Sequence, residues 1–402
     1  MGIHNGNLLL GLVAAFAVAT TLFSMISLLW VTRRPRKPFA DYTPSVTIYK
    51  PLKGKDEDLE ENLRSFFQLD YPVYQLIFCV ADDDDAAIPI VQKLLDEFPR
   101  QDAELIVGTK VFGLNPKVES LATMERCRKH DVILISDSNI RVRPGYLRET
   151  TCHLADRSVG LVSNLFVGVG EKTIGAAMEN LQLNGFIAGG VASASALGIT
   201  CVVGKSMLMP VHVHEAIGGF AGVRNLLAED QVIGVRVRKA GYSVRLSRHV
   251  VENVNETRSV GWFLNRHSRW FKIRRRLALP TFLIEPTSNL AAVGLVWAVS
   301  GESGLAWGGL LLLVGLGMAR DAFQTWWMRG SIPRMQHLLL SPIKDLILLP
   351  VWFDALVNGH VHWRGHRFVV GRFTRLRQAR VPLDVRRRVR RVRRFRSRHH
   401  EV

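Results

Sequence analysis

The chain has 402 residues, enough for one sizeable α/β core with further segments around it. Its 53 Lys and Arg against 35 Asp and Glu leave a formal net charge of +18, and the basic residues gather at 33–37, 266–276 and 364–398, each beside an apolar stretch, which favours a membrane surface over nucleic acid as the anionic partner. Four cysteines, Cys79, Cys127, Cys152 and Cys201, have neither the spacing of a zinc site nor the density of a disulfide scaffold, so they are expected as reduced packing residues.

In chain order, residues 7–31 come first, uncharged and almost wholly apolar, long enough to cross ~30 Å of hydrocarbon as a helix. The basic group Arg33, Arg34, Arg36 and Lys37 follows this run instead of preceding it, the order of an anchor and not of a cleaved signal. By the positive-inside rule that group is cytoplasmic, and residues 1–37 are read as an anchor with its basic flank. Residues 46–49 are a short β-rich run ending at Lys50-Pro51-Leu52-Lys53-Gly54, and 56–68 read as a helix on Leu59, Leu63, Phe66 and Phe67. Residues 76–80 form a strand that stops at Asp82-Asp83-Asp84-Asp85. A helix at 90–98, a strand at 103–107, a helix at 116–128 and a strand at 132–135 follow, the last stopping at Asp137-Ser138-Asn139. This alternation predicts a mostly parallel sheet with ligands beyond the carboxyl ends of its strands.

Residues 174–200 are rich in small and apolar side chains, which suits either a segment at the bilayer or an ordinary buried helix pair. Runs at 290–300 and 305–319 flank a short turn and predict a helical hairpin that crosses and returns. The run 338–357 contains Pro342, Lys344, Asp345, Pro350 and Asp354, charges that belong against protein or water, so a re-entrant or interfacial segment is expected. The division is therefore a core domain at 38–265, a basic interfacial helix at 266–280, membrane segments at 281–357 and a basic cytoplasmic tail at 358–402.

Acidic residues at two strand ends are the main chemical clue. A nucleotide diphosphate is held well by a divalent cation shared between phosphate and Asp oxygens, and Asp137, with Asn139 beside it, has that chemistry. The same residues also suit a plain turn, as the Asp82 to Asp85 cluster suits a helix start. A third pair, Glu229-Asp230, offers a base for an acceptor hydroxyl, or a surface acid at a helix start. Arg266 and Arg269 fall on one helical face with Trp270, suiting a departing diphosphate and a membrane interface alike.

The series Asp82 to Asp85, Asp137, Glu229-Asp230 and Arg266-x-x-Arg269-Trp270 resembles the D, D, D, (Q/R)xxRW signature of family 2-like, lipid-directed glycosyltransferases. More narrowly, Lys50-Pro51-Leu52-Lys53-Gly54, Leu69-Asp70-Tyr71-Pro72, Asn115-Pro116-Lys117, the segment from Asp137 to Val142, and Trp363-Arg364-Gly365 resemble the ceramide glucosyltransferases, from the anchor to about Val370. The resemblance implies a GT-A fold (a Rossmann-like mixed α/β sheet), UDP-glucose as donor, Mg²⁺ or Mn²⁺ as cofactor, ceramide as acceptor, and inversion at the anomeric carbon. It places Asp85, with Asp83 as the alternative, on the uridine, and Asp137 on metal and diphosphate. Asp230 becomes the base, Arg266, Arg269 and Trp270 hold the pyrophosphate, and Lys53 and Lys117 contact the nucleotide. Two departures stand out: Asn139 replaces the second carboxylate of a DxD motif, and Arg266 stands where relatives acting on hopanoids often carry His. Beyond Val370 the Arg-rich tail is expected as a disordered arm near anionic lipid. The alternatives are a relative with another donor or lipid, such as UDP-N-acetylglucosamine and a hopanoid, and a non-enzymatic scaffold. If the enzymatic reading holds, Asp137, Asp230 and Arg269 converge on one pocket.

Overall fold

The computed structural model describes residues 2–33, 42–301 and 304–379. The N-terminal helix α1 (Gly2–Arg33) leads into an eight-stranded sheet. The sheet comprises β1 (Val46–Pro51), β2 (Tyr74–Val80), β3 (Ala103–Val107), β4 (Val132–Ser136), β5 (Ile140–Arg141), β6 (Val159–Val169), β7 (Ser206–Pro210) and β8 (Ser243–Val254) in the order β3-β2-β1-β4-β7-β6-β8-β5. The first four pair in parallel, as the alternating pattern predicts, whereas β7 runs antiparallel to both β4 and β6. Strands β1, β2 and β4 are buried along their whole length, and apart from Thr47, Lys50, Gln75 and Ser136 their residues are apolar or aromatic.

Helices α2 (Leu59–Phe67), α3 (Ile88–Glu97) and α4 (Pro116–Met124) are the crossovers between the parallel strands. Leu63, Phe66 and Phe67 of α2 enter one core with Phe78 and Val80, and Val118, Leu121 and Met124 of α4 enter a second with Tyr49, Ile77 and Ile133. Helix α5 (Tyr146–Thr151) precedes β6. Residues 174–200 form a buried helix pair, one of the two forms the sequence allows. Helix α6 (Ile174–Gln182), a π turn at Leu183–Ile187 and helix α7 (Ala188–Ala196) are largely buried, and they pack against α1 and against the later membrane helix Gly304–Arg329. Small residues permit that approach: Gly189 lies against Ser24 and Gln324. Helix α8 (Val211–Ala216) follows β7, and α9 (Glu229–Lys239) precedes β8.

Helix α10 (Val260–Leu277) carries the Arg266, Arg269 and Trp270 motif on 18 residues. Ser259 caps it by accepting from the backbone N–H of Trp262. The hairpin expected at 290–319 is present as α12 (Leu290–Gly301) and α13 (Gly304–Arg329), preceded by the short α11 (Leu279–Ile284). Helices α1 and α13 are long and apolar enough to cross a membrane, and residues 279–288 with α12 form a pair bent by 60° that qualifies only when counted together. Thus α13 runs past the apolar stretch 305–319 to Arg329, whereas α12 stays short and is set off from residues 279–288 by a bend. After α14 (Met335–Leu338), residues 340–357 form a single helix, α15 (Leu340–Val357), with Pro350 inside it. Its charges face protein: Lys344 pairs with Asp321 at 3.1 Å and with Asp345 at 2.6 Å, and Arg320 lies 3.7 Å from Asp345.

The tail departs from expectation. Residues 360–378 form a second, antiparallel sheet of β9 (His360–Trp363), β10 (His366–Val370) and β11 (Leu376–Gln378). Val361, Phe368, Val370 and Leu376 pack with Leu227 into a small core of their own, an alternation that the surrounding arginines hide in the sequence. Arg34, Arg36 and Lys37, and the tail from residue 380 onward, lie outside the described residues. None of the four cysteines is in a disulfide, and Cys79 and Cys152 are buried.

Candidate active site

The carboxyl ends of β1, β2 and β4 point to one side of the sheet, and the loops there tie to one another. Pairing of Ser136 with Ser206 between β4 and β7 puts the next residues, Asp137 and Lys205, opposite each other. Lys205 Nζ lies 3.0 Å from one Asp137 oxygen, and Lys117 Nζ lies 2.8 Å from the other. Lys117 stands there because α4 starts abruptly: Pro116 opens the helix and Asn115 caps it, accepting from the backbone N–H groups of Lys117 and Val118. Burial would raise the Asp137 carboxyl, but the two ammonium groups more than offset it and hold the group far below the usual range. Lys50, on β1, donates to the Asp137 carbonyl at 2.7 Å, and burial lowers its ammonium well below the ordinary value.

Lys117 also joins this cluster to the third acidic pair. Its ammonium lies 3.3 Å from Glu229 and donates to the carbonyl of Gly204 at 3.3 Å. The Gly204 N–H donates in turn to Asp230 Oδ2 at 2.6 Å, and the Gln231 N–H donates to Asp230 Oδ1 at 2.7 Å. A Cβ at Gly204 would stand 3.0 Å from Lys117 Nζ and 3.1 Å from Asp230 Oδ2, close enough to press on both side chains. Burial first, and the neighbouring Glu229 second, push the Asp230 carboxyl up to about 6.

Helix α10 closes the other side. Glu179, buried on α6, pairs with Arg266 at 3.1 Å and with His267 at 3.0 Å. Arg266 is further held over the rings of Trp262 and Trp270 at 5.2 and 4.7 Å. Arg269 differs: no carboxylate lies within ion-pair distance of it among the described residues, and its guanidinium sits 5.9 Å from the ring of Trp363. Arg364, reaching in from the turn between β9 and β10, lies at the same distance from that ring. Burial, Arg266 and Arg364 together pull Arg269 down to about 10, while Glu229 and Asp137 oppose the shift. Burial lowers Arg364 as well, against the pull of Asp137 and Glu229.

Asp137, Asp230, Lys117, Arg266, Arg269 and Trp270 therefore come together. The remaining sequence candidates stand at the rim. Asp85 accepts from Gly54 N–H with both oxygens at 2.9 Å and from Ala87 N–H at 2.9 Å, so it locks the loop after β1 to the loop after β2. Lys53 is 3.7 Å from Asp82, both well exposed, and Asp83 is exposed beside them. Sequence reasoning missed Lys205, Glu179 and Arg364 as site residues, although Arg364 lay in a segment already singled out by its likeness. Asp56 was also missed. It accepts from Ser138 and pairs with Arg258 at 3.1 Å, fastening the end of β4 to the entry of α10.

The donor set can be tested against a divalent cation. Among the described residues no three His, Cys, Asp or Glu side chains group to hold a metal unaided. One carboxylate, Asp137, faces the cluster, which matches the way Mg²⁺ binds, through one or two carboxylates with the other ligands from water and substrate phosphate. Both Asp137 oxygens face an ammonium, Lys117 at 2.8 Å and Lys205 at 3.0 Å, so a cation arriving with a diphosphate would take one of these oxygens in place of a lysine, leaving that ammonium to the phosphate.

A mixed sheet with acidic loops at the ends of its parallel strands, closed by a basic amphipathic helix and anchored by apolar helices, defines a membrane-associated glycosyltransferase of the GT-A type. Over 83% of this chain and 99% of the other, the fold superposes on a mannosyltransferase, PcManGT from Pyrobaculum calidifontis, in complex with GDP-Man and Mn²⁺, with a TM-score of 0.50 and 18% identity. Residues 11–376 match the model of glycosyl transferase family 21, and the chain belongs to that family. It is a hexosyltransferase. Ceramide glucosyltransferase 3 of Caenorhabditis elegans is 28% identical over 341 residues, 81% of this chain and 72% of its own. Ceramide glucosyltransferase 1 of the same organism is 28% identical over 256 residues, covering 63% and 55%, and the ceramide glucosyltransferase of Komagataella phaffii is 25% identical over 322 residues, covering 65% and 63%.

Proposed function

We propose that this protein transfers glucose from UDP-glucose to ceramide at the cytoplasmic face of a membrane, with inversion at the anomeric carbon. The observation that carries the reading is the pair Arg269 and Arg364. Two guanidiniums brought to one indole without a carboxylate partner among the described residues, beside Asp137 and Glu229, await an anion, and a diphosphate supplies it. The family and the names of the relatives support hexose and ceramide.

In this reading Asp230 accepts the proton of the lipid's hydroxyl as that oxygen forms its bond to the anomeric carbon. The bond from that carbon to the phosphate oxygen breaks, and the charge developing on the leaving diphosphate falls on Lys117, Lys205, Arg269 and Arg364. Asp230 then returns its proton to water. A divalent cation, Mg²⁺ or Mn²⁺, held by Asp137, would neutralise part of the same charge. Arg266 is spent on Glu179 and the two tryptophans, so its part is to set the angle of α10 and aim Arg269. Asp85, with Asp83 the alternative, and Lys53 would border the uridine. Residues 1–37 and 281–357 hold the 38–265 domain at the bilayer, and the 266–280 helix lies at its surface.

The test is direct. Purified protein in lipid vesicles is offered UDP-glucose, UDP-galactose and UDP-N-acetylglucosamine, each with ceramide or with a hopanoid, and the products are identified by mass spectrometry. Hexosyl-ceramide from UDP-glucose is expected. Product only from UDP-N-acetylglucosamine and the hopanoid would replace the donor and acceptor named here, and no product from any pair would remove the enzymatic reading.

A further inference from the structure

Away from the site, on the outer face of α9, lies a groove of about 770 Å³ between that helix and the C-terminal sheet. Val232, Val235, Leu226, Leu277 and Phe373 contribute its apolar lining. Its rim is cationic: Arg224, Lys239, Arg372, Arg375 and Arg377 all line it, and all are exposed. No Asp or Glu lines the groove, and among the described residues none of those five cations has a carboxylate within ion-pair distance. Uncompensated cations around an apolar floor match one kind of ligand, an amphiphile with an anionic head. The position agrees, because Leu277 ends α10 immediately before α11, where Leu279, Leu283 and Ile284 are exposed beside the bent membrane pair.

The loop that displays Phe373 is under strain. Phe373 and Thr374 both take left-handed backbone conformations, at φ 52° and 60°, which non-glycine residues rarely adopt. Phe373 nevertheless leaves 60% of its surface exposed, so its own burial does not hold it there. Thr374, by contrast, is buried and bonded. Its carbonyl accepts from Leu227 N–H at 2.9 Å and its hydroxyl accepts from Ala228 N–H at 3.4 Å, the two residues just before Glu229 and Asp230. The arginine-rich turn is thus one residue removed from the segment that positions the acidic pair.

We propose that this groove binds the phosphate headgroup of an anionic membrane lipid, its apolar floor taking the first part of an acyl chain, and that occupancy raises turnover by holding the Thr374 contact to the start of α9. The site is built from 224–239 and 277 as well as 372–377, and so is distinct from a solvated basic arm. Lipid retention is independent of the glycosyltransferase reading; only the effect on turnover rests on Asp230 as the base.

The experiment uses the full chain. Protein purified in detergent and reconstituted with phosphatidylcholine, with or without 20% phosphatidylglycerol, is assayed for turnover, and retained lipid is counted by native mass spectrometry. A preferentially retained phosphatidylglycerol and a severalfold rise in turnover are expected for wild type. In the double variant Arg372→Glu with Arg377→Glu both are expected to vanish, with turnover in pure phosphatidylcholine unchanged. The Arg372→Lys with Arg377→Lys variant, keeping the charge, is expected to restore both, and a melting curve checks that all three fold alike. Retention and stimulation that survive charge reversal would overturn the proposal, as would stimulation of equal size by millimolar inorganic phosphate without the anionic lipid. Retention without any stimulation would overturn the coupling through Thr374.

Discussion

Replacing Asp230 by Asn tests the chemistry most sharply, because the change keeps the shape and removes the proton acceptor. The carboxylate accepts two backbone N–H groups, from Gly204 and Gln231. An amide oxygen can keep one of these, and losing the other costs about 1 kcal/mol. The variant also removes a carboxylate that burial and Glu229 disfavour, so its Tm should stay within a few degrees of wild type. Turnover should fall about 10²- to 10⁴-fold, the usual contribution of a general base, equivalent to about 3–5 kcal/mol in the barrier. The acid limb of the pH profile supplies an independent reading. A carboxyl at about 6 is protonated as the pH falls through that value, so wild-type kcat/KM should halve near pH 6 and drop roughly tenfold for each further unit. The assay is transfer of radiolabelled sugar to lipid, run from pH 4.5 to 9 on both proteins. A folded Asn variant retaining more than a tenth of wild-type turnover, or one keeping the same acid limb, would refute the assignment.

Lys117→Met and Lys205→Met should each weaken UDP binding about ten- to a hundredfold, the worth of a charge-assisted hydrogen bond of about 1.5–3 kcal/mol, measurable by calorimetry at pH 7. Burial pulls the Lys205 ammonium down to about 8, so wild-type affinity should decline as the pH rises through 8, and a flat affinity up to pH 9.5 would contradict that cause. Gly175→Ala should cut turnover while costing about 1–3 kcal/mol of stability, since an added Cβ would press on the backbone of Arg258, Ser259 and Val260 and tilt the start of α10; thermal melts and single-turnover assays report the two effects separately. Chelation with EDTA should lower turnover, with recovery on adding Mg²⁺ or Mn²⁺. Full activity in excess chelator would take the metal away from Asp137.

The parallel half of the sheet was legible because buried central strands need continuous apolar runs and their acidic stops are abrupt. Asp137, Asp230 and Arg269 stood out by the same contrast, each being a charge at the end or on the face of a well-marked element. Lys205 was not, since its role comes from antiparallel pairing of β7 with β4, a partnership set nearly 70 residues apart with no local trace. Glu179 reads as an ordinary polar residue in a greasy helix until α10 is laid across it. Arg364 stands in a run of arginines that composition alone assigns to solvent, and only the packing of Phe368 and Val370 on Leu227 turns that run back toward the site. The bend between 279–288 and α12 escaped for a similar reason: apolar length predicts that a span exists, not that it is broken.

The charged contacts between α13 and α15 have a bearing on reach. Lys344 to Asp321 and Arg320 to Asp345 cross from one helix to the other, and sliding α15 by one turn, ~5.4 Å, would part them all. Helix α15 is tied in turn to α10, through Lys272 to Asp354 at 2.9 Å and Arg275 to the carbonyl of Ala355 at 2.6 Å. The position of Arg269 and its neighbours relative to α13, a helix long and apolar enough to cross a membrane, is therefore fixed by electrostatic pegs. On the proposed reading, a lipid acceptor presents its hydroxyl at that one level, which makes depth in the leaflet a criterion of selection alongside shape.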